Sequence, residues 1–156
     1  MGGKTPQNLI NHSFHSLLPF SQYGDDHLEF YALVDGERDR NTHGGGPQLC
    51  VTNPEVIRIA IESVIRQLNA QPELKNISVS QADTDRYCRC DNCEAINQQQ
   101  GTPMGSQLAF VNSVAEKVEL VHPAVKVGTL AYWYTRQAPK TTRPWQNVQV
   151  QLCSIE

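Results

Sequence analysis

The chain has 156 residues, 39% hydrophobic and 19% charged, which suits one globular domain with a buried core and excludes a disordered chain. Its formal net charge of -3, with no Lys/Arg cluster interleaved with aromatics, excludes a polyanion-binding surface, so nucleic acid is not an expected partner. No apolar stretch approaches the roughly 20 residues that span a bilayer, so the chain reads as soluble with no membrane partner, while its compartment, secretion of a parent protein included, stays open.

Gln48-Leu49-Cys50-Val51 reads as the end of a first strand. Helix-start chemistry follows, with Asn53 as cap, Pro54 at the first helical position and Glu55 near the positive end. The helix is predicted to run to about Asn69 and to bury Ile57, Ile61, Val64, Ile65 and Leu68, which recur at three-and-four spacing. Asn76 to Gln81 is a second strand, followed by the cysteine segment Asp83 to Cys93. A second helix is predicted from about Ser106 to Val121, built on Leu108, Val111, Val114, Ala115, Val118 and Val121. Val125 to Tyr132 and Val148 to Cys153 are the last strands, and Arg38 to Gly46 and Gln98 to Gly105 are expected to be plain loops.

This β-α-β-α-β-loop-β order predicts an α/β fold with parallel strands and helical crossovers. Residues just past the strands then share one rim: Thr52 and Asn53, Gln81 and Asp83, Tyr132 to Tyr134, and Ser154 to Glu156. With no helix predicted after the last strand, we expect residues 1–156 to be one domain, a central fragment of a larger (β/α)8 TIM-like barrel of about 250 residues. Such a fragment leaves strand edges open to the remaining barrel segments of the parent chain, or to an edge-mediated dimer. An open doubly wound sheet is the alternative.

Asn11 to Pro19, Glu29 to Gly36, Gln48 to Pro54, Ser78 to Asp83, the Cys88/Cys90/Cys93 cluster, Thr129 to Tyr132 with Tyr134, and Leu152 to Glu156 together resemble a bacterial family. It is the one catalogued as domain of unknown function 4838, whose members often sit beside an α-glucuronidase-type N-terminal domain. The resemblance implies a glycoside-hydrolase-like (β/α)8 barrel with carbohydrate substrates. Where related proteins carry Asn-Asp after the strand, this chain has Ala82-Asp83.

Glycoside hydrolysis needs two carboxyl groups, about 5–5.5 Å apart for retention or 6.5–9.5 Å for inversion, one protonated and one ionised. Asp83 and Asp85 follow one strand and Glu156 ends another, so these three are the candidate catalytic carboxylates; an ordinary Asx-type turn is the plain alternative for the first two. His12, His15, Asn53 and Gln81 are candidate ligands for sugar hydroxyls, and Tyr132 and Tyr134, expected on one side of their strand, are candidate stacking surfaces. Arg136, Lys140 and Arg143 could meet a uronate or simply be solvated.

The five cysteines are odd in number and three are bunched, which argues against a disulfide-stapled scaffold. C-x-C-x2-C supplies three thiolates from Cys88, Cys90 and Cys93, and a tetrahedral zinc needs a fourth ligand, for which Cys50, His12 and His15 are candidates. Structural zinc, free buried thiols and one Cys50-linked disulfide all stay open, and no cofactor is required for catalysis. The expected function is thus a segment of a carbohydrate-active barrel; the alternative is a non-catalytic sugar-binding or scaffolding barrel with a zinc-stabilised cysteine loop.

Overall fold

The computed structural model describes residues 10–153, a mixed α/β arrangement built around three parallel strands. In chain order the elements are single-turn helices α1 (Phe14–Leu17) and α2 (Phe20–Tyr23), a 3-10 turn (Leu28–Phe30), strands β1 (Leu33–Val34) and β2 (Glu37–Arg38), helix α3 (Pro54–Ala70) and strand β3 (Asn76–Ser78). Helices α4 (Asp91–Gln100) and α5 (Met104–Val121), strand β4 (Lys126–Ala131), a 3-10 turn (Trp133–Thr135) and strand β5 (Val148–Leu152) complete it. None of the described helices is long and apolar enough to cross a membrane.

The parallel sheet has the order β3-β4-β5, with Ile77 opposite Val127 and Thr129 opposite Val150. Helices α4 and α5 form the β3–β4 crossover, and α3 and α5 pack together against the core. The segment before α1 lies along β3, with Ser13 N–H donating to the Ser80 carbonyl and Ser13 Oγ to the Ser78 carbonyl. β5 pairs with β4 on one side and leaves Val150 and Leu152 exposed.

Gln48–Val51 is not a strand of this sheet. Leu49 forms an isolated antiparallel bridge with Tyr31, because the Gln48 carbonyl accepts from Ala32 N–H and Cys50 N–H donates to the Phe30 carbonyl. The partner is a local hairpin instead of β3. Asp35 and Gly36 both take positive φ, 53° and 82°, as the two-residue turn joining β1 to β2 requires.

α3 starts as expected: Asn53 Oδ1 accepts from Glu55 N–H at 2.9 Å and Pro54 opens the helix. Its buried stripe is rotated from the expected one, running through Val56, Ala60, Ser63, Val64 and Leu68 while Ile57, Ile61 and Ile65 flank it, half-buried. The small residues sit where the helices meet, and the long isoleucines cover the margin. Val121, expected inside, is 54% exposed at the end of α5. Helix α4 was not expected, since its buried residues are Cys93, Asn97 and Gln100, a polar set without an apolar stripe.

Candidate functional site

Where β3 and β4 end, four of the expected site residues come together. Tyr132 Oη donates to Asp83 Oδ1 at 2.8 Å, and His12 Nε2 lies 3.9 Å from the same oxygen. The His12 and Tyr132 rings meet edge-on, centroids 5.5 Å apart. His12 Nδ1 is 2.6 Å from the Gln81 carbonyl, which can only accept, so Nδ1 carries a proton and Nε2 is the nitrogen facing Asp83. The Asp83 carboxylate beside it, with a smaller contribution from partial burial, holds the Tyr132 phenol above its usual range.

Gln81 is fully buried and positions the group from below. Its Nε2 donates to the Tyr132 carbonyl at 2.8 Å and its Oε1 accepts from Thr135 Oγ1 at 2.7 Å. Asp83 is held from the loop expected to be uninformative: its N–H donates to the Gly44 carbonyl at 3.0 Å. Gly44 has φ 69°, and a Cβ there would lie 2.6 Å from the Asp83 carbonyl oxygen, so only glycine permits this approach.

A second cluster lies at the other end of the Asp83–Cys93 segment. The Sγ atoms of Cys50, Cys88, Cys90 and Cys93 all fall within 4.8 Å of one another, with Cys50 and Cys90 at 3.7 Å. A tetrahedron with metal–sulfur bonds near 2.3 Å has sulfurs about 3.8 Å apart, so the four thiols could hold a metal ion with little movement. Leu33 N–H donates to Cys88 Sγ at 3.3 Å, and Thr52 Oγ1 lies 3.2 Å from Cys93 Sγ. Cys90 is the N-cap of α4 and Cys93 is in its first turn, so the start of one helix carries two of the four thiols.

Three of the thiols, Cys50, Cys88 and Cys93, perturb one another. Contact with Cys88 and Cys93 holds Cys50 well below the usual thiol range; the resulting thiolate pushes Cys88 up to about 12 and Cys93 higher still. A divalent cation bound among them would favour loss of the protons that Cys88 and Cys93 hold. All five cysteines are unpaired, and Cys153 lies apart from the four.

One protein-family model, Domain of unknown function (DUF4838), matches residues 1–156. The chain belongs to that family. No curated protein and no solved structure matches it.

In this DUF4838 chain the remaining expected site residues are dispersed. Tyr134 stacks on Tyr87, centroids 4.8 Å apart, and burial raises its phenol well above the usual range. It does not follow Tyr132 toward Asp83, because the chain leaves the strand at Ala131 and coils into a 3-10 turn. His15 is exposed over Gly45 and Gly46, and the Asn53 side chain is engaged as the α3 cap. Asp85 is exposed, with no side-chain hydrogen bond or ion pair among the described residues, and Glu156 lies outside them. Arg136 and Arg143 line a groove of about 380 Å³ with Leu108, Val150 and Leu152. A larger cleft of about 640 Å³, lined by Arg38, Asp39 and Arg86, contains none of the clustered residues, so the chemistry singles out the rim and the thiols where volume does not.

Proposed function

We propose that this chain is part of a carbohydrate-active, glycoside-hydrolase-like (β/α)8 barrel that binds a sugar at the rim formed by Asp83, His12 and Tyr132. The observation that carries the reading is the 2.8 Å bond from Tyr132 to Asp83 with His12 Nε2 3.9 Å away, at the end of the parallel strands where α/β enzymes bind ligands. Asp83 serves as general acid or as the carboxylate that orients a sugar hydroxyl. The second carboxylate that hydrolysis needs is assigned to Glu156, with Asp85 as the further candidate. β5 offers its free edge to the next segment of the parent barrel or to a second copy.

The four thiols are assigned to a structural zinc. An all-sulfur set with tetrahedral spacing suits zinc, and four protein ligands leave no open position for catalysis.

Turnover on a panel of aryl glycosides and uronosides tests the main reading, using the full-length protein and its Asp83→Asn variant. Hydrolysis lost in the variant supports it; no hydrolysis by the wild type on any panel member rejects it. A second reading, a non-catalytic sugar-binding barrel, is favoured by one observation: Asp83 is the single carboxylate touching His12 and Tyr132 among the described residues. It predicts saturable sugar binding without turnover.

A further inference from the structure

Trp133 sits beside the rim cluster in a conformation that folding alone does not explain. It is 49% exposed, its ring meets that of Tyr132 edge-on at 6.0 Å, and it follows directly on the strand end that delivers Tyr132 to Asp83. Its φ is 58°, in the left-handed region that bulky residues rarely occupy. The chain is held there by a reciprocal pair of bonds, Tyr132 N–H to Thr135 Oγ1 at 2.9 Å and Thr135 N–H to the Tyr132 carbonyl at 3.1 Å. Gln81, which also accepts from His12, anchors Thr135 in turn. A glycine would meet the backbone demand without strain, whereas this position instead presents a half-exposed indole beside the rim. The other tryptophan, Trp145, precedes β5 and therefore lies toward the opposite end of the parallel sheet.

We infer that Trp133, with Asp83 and Tyr132, forms a subsite for a neutral pyranose ring, the indole stacking on its apolar face while the carboxylate and phenol bind adjacent hydroxyls. This rests on the carbohydrate reading above and narrows it. A flat, half-exposed indole suits the C–H face of a pyranose. A carboxylate that already accepts from Tyr132 has free lone pairs for hydroxyl donors. It repels an anionic ring: among the described residues no Arg or Lys lies within ion-pair distance of Asp83, and Arg136 and Arg143 line the groove beside β5.

The test uses the full chain with Trp145→Phe, which leaves Trp133 as the sole tryptophan. Intrinsic fluorescence and NMR follow titration with neutral methyl pyranosides of gluco, galacto, manno and xylo configuration, their β-linked disaccharides, and D-glucuronate. The expected result is a saturable indole signal with at least one neutral sugar, a Kd at least tenfold weaker for glucuronate, and at least a tenfold loss in Trp133→Ala at unchanged melting temperature. Trp133→Phe retains most of the affinity. If a neutral sugar binds in an Asp83-dependent way while indole fluorescence and the Trp133→Ala affinity stay unchanged, the inference is overturned and the carbohydrate reading survives. Tighter binding of glucuronate also overturns it. If no sugar binds by either method, both fall.

Discussion

Gln48 closes a two-point clamp on Ala82: its Oε1 accepts from Ala82 N–H at 2.9 Å and its Nε2 donates to the Ala82 carbonyl at 2.8 Å, with a further bond to the Thr84 carbonyl. A single amide, itself 1% exposed, thereby satisfies the backbone on both sides of Asp83. Gln48→Ala leaves those groups without partners, and we expect it to cost about 2–4 kcal/mol. Gln48→Glu keeps the acceptor and loses the donors, so it should destabilise as well, while Gln48→Asn is too short to span. Urea denaturation with an unchanged m-value measures the loss; a variant as stable as wild type refutes the clamp.

Chelation tests the thiol cluster. Freshly purified protein should contain one equivalent of zinc by elemental analysis, and a strong chelator should lower its melting temperature reversibly. With free zinc a thousandfold above Kd, the stabilisation expected is about 4 kcal/mol. Cys50→Ser should reduce metal content as much as Cys88→Ser does, although Cys50 lies 40 residues from Cys90 in the chain. A metal-free preparation indifferent to chelator and added zinc would mark the thiols as core residues.

At position 133, glycine and alanine report backbone strain separately from side-chain loss. Both remove the indole, and only glycine accepts φ 58° freely. Trp133→Gly should therefore be more stable than Trp133→Ala by about 1 kcal/mol. Equal stabilities would show that the turn relaxes around alanine.

Alkaline pH should destabilise the fold. Tyr31, Tyr132 and Tyr134 all have phenols raised above the ordinary 10.0: Tyr31 and Tyr134 chiefly by burial, Tyr132 chiefly by its bond to Asp83. A raised folded value means that the folded state keeps a proton the unfolded chain gives up. The contribution is thus fully present below pH 10 and is lost as pH rises through the folded values. Calorimetry from pH 8 to 11.5 should show melting temperature falling above pH 10, and Tyr31→Phe should shallow that fall. The comparison is between variants, so ionising thiols common to both cancel.

Much of this arrangement could be read from residue order. Asn53-Pro54-Glu55 carries its helix start in its own chemistry, and the C-x-C-x2-C run announces soft ligands whatever fold holds them. Cys50 was reachable as the fourth thiol, though it arrives through the Tyr31–Leu49 bridge and not through the parallel sheet. Helix α4 stayed hidden because its inward face is Cys93, Asn97 and Gln100, whose value lies in bonds to distant partners such as Ser106 and Thr141. The β1–β2 hairpin had a usable signal in Asp35-Gly36 between Val34 and Glu37. Gly44 had none, since its role depends on the Asp83 carbonyl arriving from elsewhere in the chain.

The thiol cluster also bears on the order in which the chain can assemble. A cation shared by Cys50 and Cys90 ties off a loop of 40 residues that contains all of α3 and β3. Tying such a loop in the unfolded chain removes conformational freedom equivalent to about 4 kcal/mol at 25 °C. With that closure made early, α3 and β3 search for their packing from a tether instead of from an open coil. The thiols would then set the speed of folding as well as its endpoint, and zinc added during refolding should accelerate the formation of native structure.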